Sequence, residues 1–307
     1  MSARELVVLG TASQAPTRTR NHNGYLLRWD GTSVLFEAGE GTQRQMVLAG
    51  VASPRVERIC VSHRHGDHCL GVPGVLARMA LDAPGRTVTV HGPRDAEAHL
   101  RALASVADAD VHALVEAVDA THDADVPVAG VAGARLSARL LDHRVPAVGY
   151  RLAEPDGRRF VPGALAAAGI AGPDVGRLQR EGVLRGVRLA DVTEPRPGQV
   201  FAIAMDTRDH PALDAVLRGA DLAVVEATFL DRDRDLAERY AHLTARQAAT
   251  AAARAGVRRL VLTHFSQRYT DPGEFAAEAR AALADVGADV EVHVAADLDV
   301  VPVPARR

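Results

Sequence analysis

Ser62-His63-Arg64-His65-Gly66-Asp67-His68 (SHRHGDH) follows directly on a short apolar run, RICV at 58–61. A run of that length reads as a strand, so the seven residues form the loop that leaves it. Three imidazoles and one carboxylate (His63, His65, Asp67 and His68) are thereby concentrated on one turn of chain. Neutral imidazole and carboxylate are ligands for a borderline divalent ion such as zinc. Groups of this kind crowded together need a cation or a shared proton to hold them.

The same arrangement recurs further along. Three more apolar runs stop at a ligand-type residue: ARLLD before His143, FAIAM before Asp206 and RLVLT before His264. Taken singly, Asp206 reads equally well as a turn residue and His143 as a surface one. Taken together they matter, because the carboxyl ends of strands gather along one edge of an α/β layer. With the first loop they make five His and two Asp. A structural zinc is saturated by four ligands. Seven suit two divalent ions sharing one carboxylate, each with an open position, and such a pair clamps the attacking and leaving oxygens of a displacement at phosphorus.

The rest of the chain sets limits. Its 307 residues are ample for a core, and 47% apolar with 24% charged residues is ordinary for a globular protein. A net charge of −3 does not advertise a nucleic-acid binder. All 36 basic residues are Arg, so a single Arg says little about phosphate binding. The two cysteines, Cys60 and Cys69, cannot build a disulfide framework and read as packing residues in a reducing compartment. No apolar run reaches the ~18 residues that span a bilayer, and the N-terminus lacks a signal-type apolar segment. The expected location is the cytoplasm, with no membrane partner.

In order, strands are expected over 5–9, 25–29 and 34–37, the last two joined by the turn Asp30-Gly31. Gly39–Gln43 opens a helix running to about Ala49, and helices are expected over 72–80 and 94–106 around a strand at 87–91. Residues 107–133 give no clear element. Strands at 136–141 and 148–152 precede residues 154–198, where PDG, GP and PRPG punctuation and Arg158, Arg159, Arg177, Arg180, Arg185 and Arg188 suggest a surface arm or a merely solvated insertion. Strands at 201–205 and 222–225 follow, the second ending at Glu226. His242 precedes Thr244-Ala245-Arg246-Gln247, a capping box for a helix to 255. A strand at 259–262, a helix at 272–286 and a last well-formed strand at 290–295 complete an α/β sandwich of helix-covered sheets, expected as a single domain over 1–307.

These residues resemble the metallo-β-lactamase superfamily and, within it, the ribonuclease Z family of tRNA 3′-processing endonucleases. The resemblance runs over almost the whole chain: Val8–Thr11, the Pro16–Asn21 loop, Gly39–Gln43, SHRHGDH, His143 with Gly149-Tyr150-Arg151, Gly172-Pro173, Asp206-Thr207-Arg208, Glu226–Phe229, His242-Leu243-Thr244 and Leu262-Thr263-His264. It implies an αβ/βα four-layer sandwich with an inserted tRNA-binding arm at about 154–198. It implies two zinc ions per subunit, with manganese as the alternative: His63, His65, His143 and Asp206 on one, Asp67, His68, Asp206 and His264 on the other. Asp67 would accept the proton of the attacking water. His242, backed by Glu226, would serve the scissile phosphate or the leaving oxygen, and Arg18, Arg20 and Asn21 would contact RNA. The substrate would be precursor tRNA, and the protein a homodimer. The chain departs from the usual pattern with Glu37-Ala38 in place of Asp-Cys and Val225 in place of His, but no metal ligand is lost. The competing expectations are a small-molecule hydrolase of the same superfamily, acting on a phosphodiester, arylsulfate, thioester or lactone, and a non-catalytic RNA-binding scaffold.

Overall fold

The apolar runs near the N-terminus pair in chain order. Glu5–Gly10, Gly24–Trp29 and Thr32–Ala38 form an antiparallel meander, and Val56–Cys60, Arg86–Pro93 and Val111–Val118 extend it in parallel. The turn between the second and third strands has Asp30 at φ 49° and Gly31 at φ 90°, the two left-handed residues a tight hairpin turn requires. A short strand from the other end of the chain, Val300–Pro302, closes the opposite edge against Glu5–Gly10. The second sheet runs in the order Glu291–Val294, Arg259–Thr263, Leu222–Glu226, Val200–Ala204, Ala147–Ala153, Ala134–Leu141, Val126–Val131. Its first four strands are parallel. The computed structural model describes residues 4–107 and 111–306.

The inner faces of the sheets share one core. Tyr25, Trp29 and Phe36 of the first sheet meet Tyr150, Phe201, Ile203 and Val261 of the second, with Phe36 centred 5.8 Å from Tyr150 and 5.3 Å from Phe201. The outer face of the first sheet is covered by helices Thr42–Leu48, Val72–Asp82 and Glu97–Ala104, which bury Met46, Leu76, Met79 and Leu100 against Leu9, Leu35 and Ile59. Pro211–Leu217, Ala245–Arg254 and Gly273–Asp285 cover the second through Leu213, Ala248, Ala252 and Phe275. This is the expected αβ/βα four-layer sandwich.

One expectation needs correction. Residues 107–133, which gave no clear element, contain the strands Val111–Val118 and Val126–Val131 at sheet edges. The last well-formed strand, expected over 290–295 and found at Glu291–Val294, is followed by a three-residue one, Val300–Pro302.

The described residues fall into two compact units, residues 4–152 with 200–304 and residues 153–199 with 305–306. The smaller one has strands, though short: Gly157–Phe160 pairs with Thr193–Arg196, and Val183–Leu184 with Val187–Arg188. Helix Pro173–Glu181 supplies Leu178 to a small core with Ile170, Leu184 and Val192. Four of its arginines are spent on local carboxylates: Arg159 on Glu194, Arg177 on Glu181, Arg185 on Asp174 and Arg188 on Asp191. Glu154 N–H donates to the Gln199 carbonyl at 2.9 Å, so the two ends of this unit lie side by side. Among the described residues, no helix is long and apolar enough to cross a membrane.

Candidate metal centre

Strands of both sheets deliver side chains to one rim. The loop after Val56–Cys60 carries His63, His65, Asp67 and His68, while Ala134–Leu141, Val200–Ala204 and Arg259–Thr263 end just before His143, Asp206 and His264. All seven meet in two overlapping clusters. Donor atoms of His63, His65, His143 and Asp206 lie within 4.8 Å of one another, as do those of Asp67, His68 and His264. Asp206 faces both: its Oδ2 lies 3.6 Å from His63 Nε2 and 3.7 Å from His143 Nε2. Its Oδ1 lies 3.4 Å from His68 Nε2 and 3.1 Å from His264 Nε2. Asp67 Oδ2 lies 3.4 Å from His68 Nε2 and 3.6 Å from His264 Nε2. Ligands bonded at ~2 Å to one tetrahedral ion stand roughly 3.3 Å apart, which these separations match.

The outer hydrogen bonds fix which nitrogen faces inward. Thr228 Oγ1 donates to Glu226 Oε2 at 2.5 Å and so accepts from His264 Nδ1 at 2.7 Å. His68 Nδ1 donates to Glu37 Oε2 at 3.0 Å, and His143 Nδ1 to the Ala241 carbonyl at 2.9 Å. Each of these imidazoles therefore turns an Nε2 lone pair into the cluster. Among the described residues, buried Nε2 of His68, His143 and His264 and Oδ1 of Asp206 find no hydrogen-bond partner, a costly state that a cation removes. The residues thus fit a divalent metal.

Charge points the same way. Burial pushes His63, His65 and His143 down, into the neutral form that ligates. Burial alone would raise the carboxyls of Asp67 and Asp206, but the surrounding histidines outweigh it and hold both below the usual range. Burial also opposes charge on His68, yet Asp67 and Asp206 raise it well above its ordinary value. The thiols take no part: burial pushes Cys60 up and Cys69 up to about 12, and both are packed free.

His242 stands beside the cluster with Nε2 3.9 Å from Asp206 Oδ2 and Nδ1 2.9 Å from Glu226 Oε1. The capping box is formed: Thr244 Oγ1 accepts from Gln247 N–H, and Gln247 Oε1 from Thr244 N–H. Glu226 is fully buried and also accepts from Thr207 N–H at 2.9 Å. Burial resists a charge on His242, but Glu226 and Asp206 raise its pKa to about 9. Beneath the metal loop a glycine is obligatory, since a Cβ on Gly39 would stand 2.3 Å from the Asp67 carbonyl oxygen.

The three residues assigned to RNA diverge. Arg18 is exposed. Arg20 donates to the Tyr269 carbonyl at 3.1 Å with its guanidinium over Phe265, and Asn21 Nδ2 donates to the Glu40 carbonyl at 2.9 Å. Arg20 and Asn21 are therefore engaged inside the fold.

Sequence reasoning met Glu37 only as a departure from the family's usual Asp-Cys. The structure gives it a position behind His68, fully buried, with Oε1 accepting Ser62 N–H at 2.9 Å. Its backbone is left-handed at φ 57°, a cost of about 1–3 kcal/mol that marks a constrained position. The signal was available: VLF is one more apolar run that stops at a carboxylate. Glu37→Ala is expected to weaken metal binding about 10–100-fold, measured by competition with a chelator of known affinity. Unchanged affinity would remove Glu37 from the site.

A cleft of about 630 Å³ opens over the cluster, lined among others by Gln14, Leu70, Arg144, Phe229, Tyr240 and Arg268. A four-layer sandwich with this donor set at its rim defines a hydrolase of the metallo-β-lactamase superfamily. Two family models match in pieces: Anti-Pycsar protein Apyc1 over residues 4–107 and Beta-lactamase superfamily domain over residues 163–265. The chain belongs to the ribonuclease Z family. It is 71% identical to the ribonuclease Z of Kineococcus radiotolerans, over 100% of this chain and 98% of that one, and 56% identical to that of Streptomyces coelicolor, over 100% of both. In fold it is similar to the short form of human tRNase Z (24% identity, TM-score 0.68, covering 98% of this chain and 100% of that one). It is likewise similar to the metallo-β-lactamase fold protein YhfI of Bacillus subtilis (16% identity, TM-score 0.69, 98% and 99%).

Proposed function

We propose that the chain is an endoribonuclease that removes the 3′ trailer from precursor tRNA. It would act in the cytoplasm as a homodimer with two zinc ions per subunit, and leave a 3′-hydroxyl on the tRNA. The observation that carries this reading is Asp206, which turns one oxygen to each of two donor sets, with the His242–Glu226 pair alongside.

His63, His65, His143 and Asp206 would hold one ion, and Asp67, His68, Asp206 and His264 the other. Such a pair, when bound, neutralises charge at phosphorus and acidifies water. Asp67 is the proton acceptor for the attacking water. It is ionised, and Gln14 N–H fixes its Oδ2 at 2.8 Å, which leaves Oδ1 for the proton. Attack at phosphorus breaks the bond to the tRNA 3′ oxygen. His242, oriented by Glu226 through Nδ1, presents Nε2 toward the cluster and donates a proton to that oxygen. Arg18 is the loop residue free to meet the RNA backbone. Residues 154–198 would act as the tRNA-binding arm of the 1–307 domain, with a grip weakened by its paired arginines.

Incubation of the protein with a defined pre-tRNA tests this. The expected result is one tRNA-sized product with a 3′-hydroxyl and one trailer with a 5′-phosphate, lost with chelator and restored by zinc. No cleavage, or a ladder of shortened products, would overturn it. Removing residues 154–198, whose neighbouring ends can be joined by a turn, should abolish pre-tRNA cleavage while a small nitrophenyl phosphodiester is still hydrolysed. Equal effects on the two substrates would favour a small-molecule hydrolase.

A further inference from the structure

The mouth of the metal cleft carries guanidinium groups that pair with no carboxylate among the described residues. Arg144, the residue after His143, stands 5.5 Å from the centre of the Tyr240 ring, and Arg239 stands 5.6 Å from the same ring. Arg268 stands 5.7 Å from the centre of the Phe229 ring. Arg144, Tyr240, Phe229 and Arg268 all line the cleft, and the three arginines are exposed. Among the described residues none of the three forms an ion pair. Elsewhere exposed arginines are commonly clamped, as Arg254 is between Asp209 and Asp214, and Arg94 between Glu97 and Asp119.

The arrangement is more specific than a positive patch. A guanidinium within about 6 Å of a ring centre is drawn toward the ring and loses some of its freedom. Its N–H edges stay available to phosphate oxygens, and its outer face is a plane on which a base can stack. Phe229 is 5% exposed, so there the guanidinium of Arg268 is the accessible surface. Tyr240 is only partly buried and offers ring as well as charge. Both places are close to the chemistry: the Phe229 ring centre is 6.1 Å from that of His242, which is 5.3 Å from that of His143. Unpaired bases splayed from a strand are what such surfaces recognise; a closed duplex hides its base faces.

We infer that Arg144, Tyr240 and Arg268 form the binding site for the unpaired nucleotides next to the scissile phosphate. Arg144 with Tyr240 takes a base, and Arg268 takes a phosphate. The inference rests on the RNA reading above and adds to it a site for the single-stranded segment.

The test compares wild type with Arg144→Gln, Tyr240→Ala and Arg268→Gln on two substrates, a defined pre-tRNA and a small nitrophenyl phosphodiester. In each variant the ratio of kcat/KM for pre-tRNA to that for the small diester should fall about tenfold or more, chiefly through KM. In the two arginine variants the salt dependence of pre-tRNA binding should flatten by about 0.7 in log–log slope, the signature of one lost phosphate contact on a single strand. A merely structural role would lower both substrates together and leave the slope alone. An unchanged ratio, whether from no loss or from equal losses, overturns the inference while wild type still cuts pre-tRNA. A wild type that leaves pre-tRNA intact overturns the RNA reading and this inference with it.

Discussion

Asp67→Ala is expected to lower pre-tRNA cleavage by about 10⁴-fold while binding of pre-tRNA stays measurable. In the proposed mechanism the side chain does two things at once. Its Oδ2 belongs to the cluster with His68 and His264, and its carboxylate is the base nearest to any water held there. His68 and His264 hold it ionised at neutral pH against the effect of burial, so it is ready to take a proton. Alanine removes both roles but touches none of the surface that grips RNA. Gel-shift binding with single-turnover cleavage separates the two. Full activity in the variant would refute the assignment.

His242→Ala is the second large effect, about 10²–10³-fold on cleavage, because it removes the donor to the leaving oxygen and leaves the metal ligands in place. A substrate whose 3′-bridging oxygen is replaced by sulfur distinguishes this from general damage, since a thiolate leaves without a proton. On that substrate the variant should recover to within a few-fold of wild type. The pH profile gives a further sign. A group titrating at about 9 is charged below that pH and neutral above it, and bound cations draw it lower. Wild-type cleavage should therefore fall on an alkaline limb at or below about pH 9, and the limb should be missing in the variant. A sulfur substrate cut as poorly as the normal one would end the acid assignment.

The seven candidate ligands were legible because they obey a positional rule: His143, Asp206 and His264 each follow an apolar run, and the ends of these strands meet at one rim. Glu37 obeys the same rule, but a carboxylate after a strand has many uses, and only its contact with His68 Nδ1 says which. The edge strands were less legible. Val126–Val131 contains Pro127 and Gly130, residues that weaken a strand pattern and are tolerated where one side has no neighbour to pair. Val300–Pro302 is too short to alternate, and only its partner Glu5–Gly10 defines it. Arg20 entered as an RNA contact through the family resemblance, and its bond to Tyr269 is long-range and left no trace in the local sequence. The cleft-rim arginines Arg144 and Arg268 went unremarked for the same reason: their aromatic partners Tyr240 and Phe229 are distant in sequence.

Four of the ligands hang from the first sheet and three from the second, so any ion gripping both is a staple across the seam between them. Whatever binds only the assembled form adds its binding free energy to cohesion. Catalytic readiness and durability then draw on the same ions. Starved of metal, the molecule would not wait as an idle enzyme; it would open along that seam and reach a protease sooner, so metal supply would bear on how long each copy survives as well as on how fast it cuts.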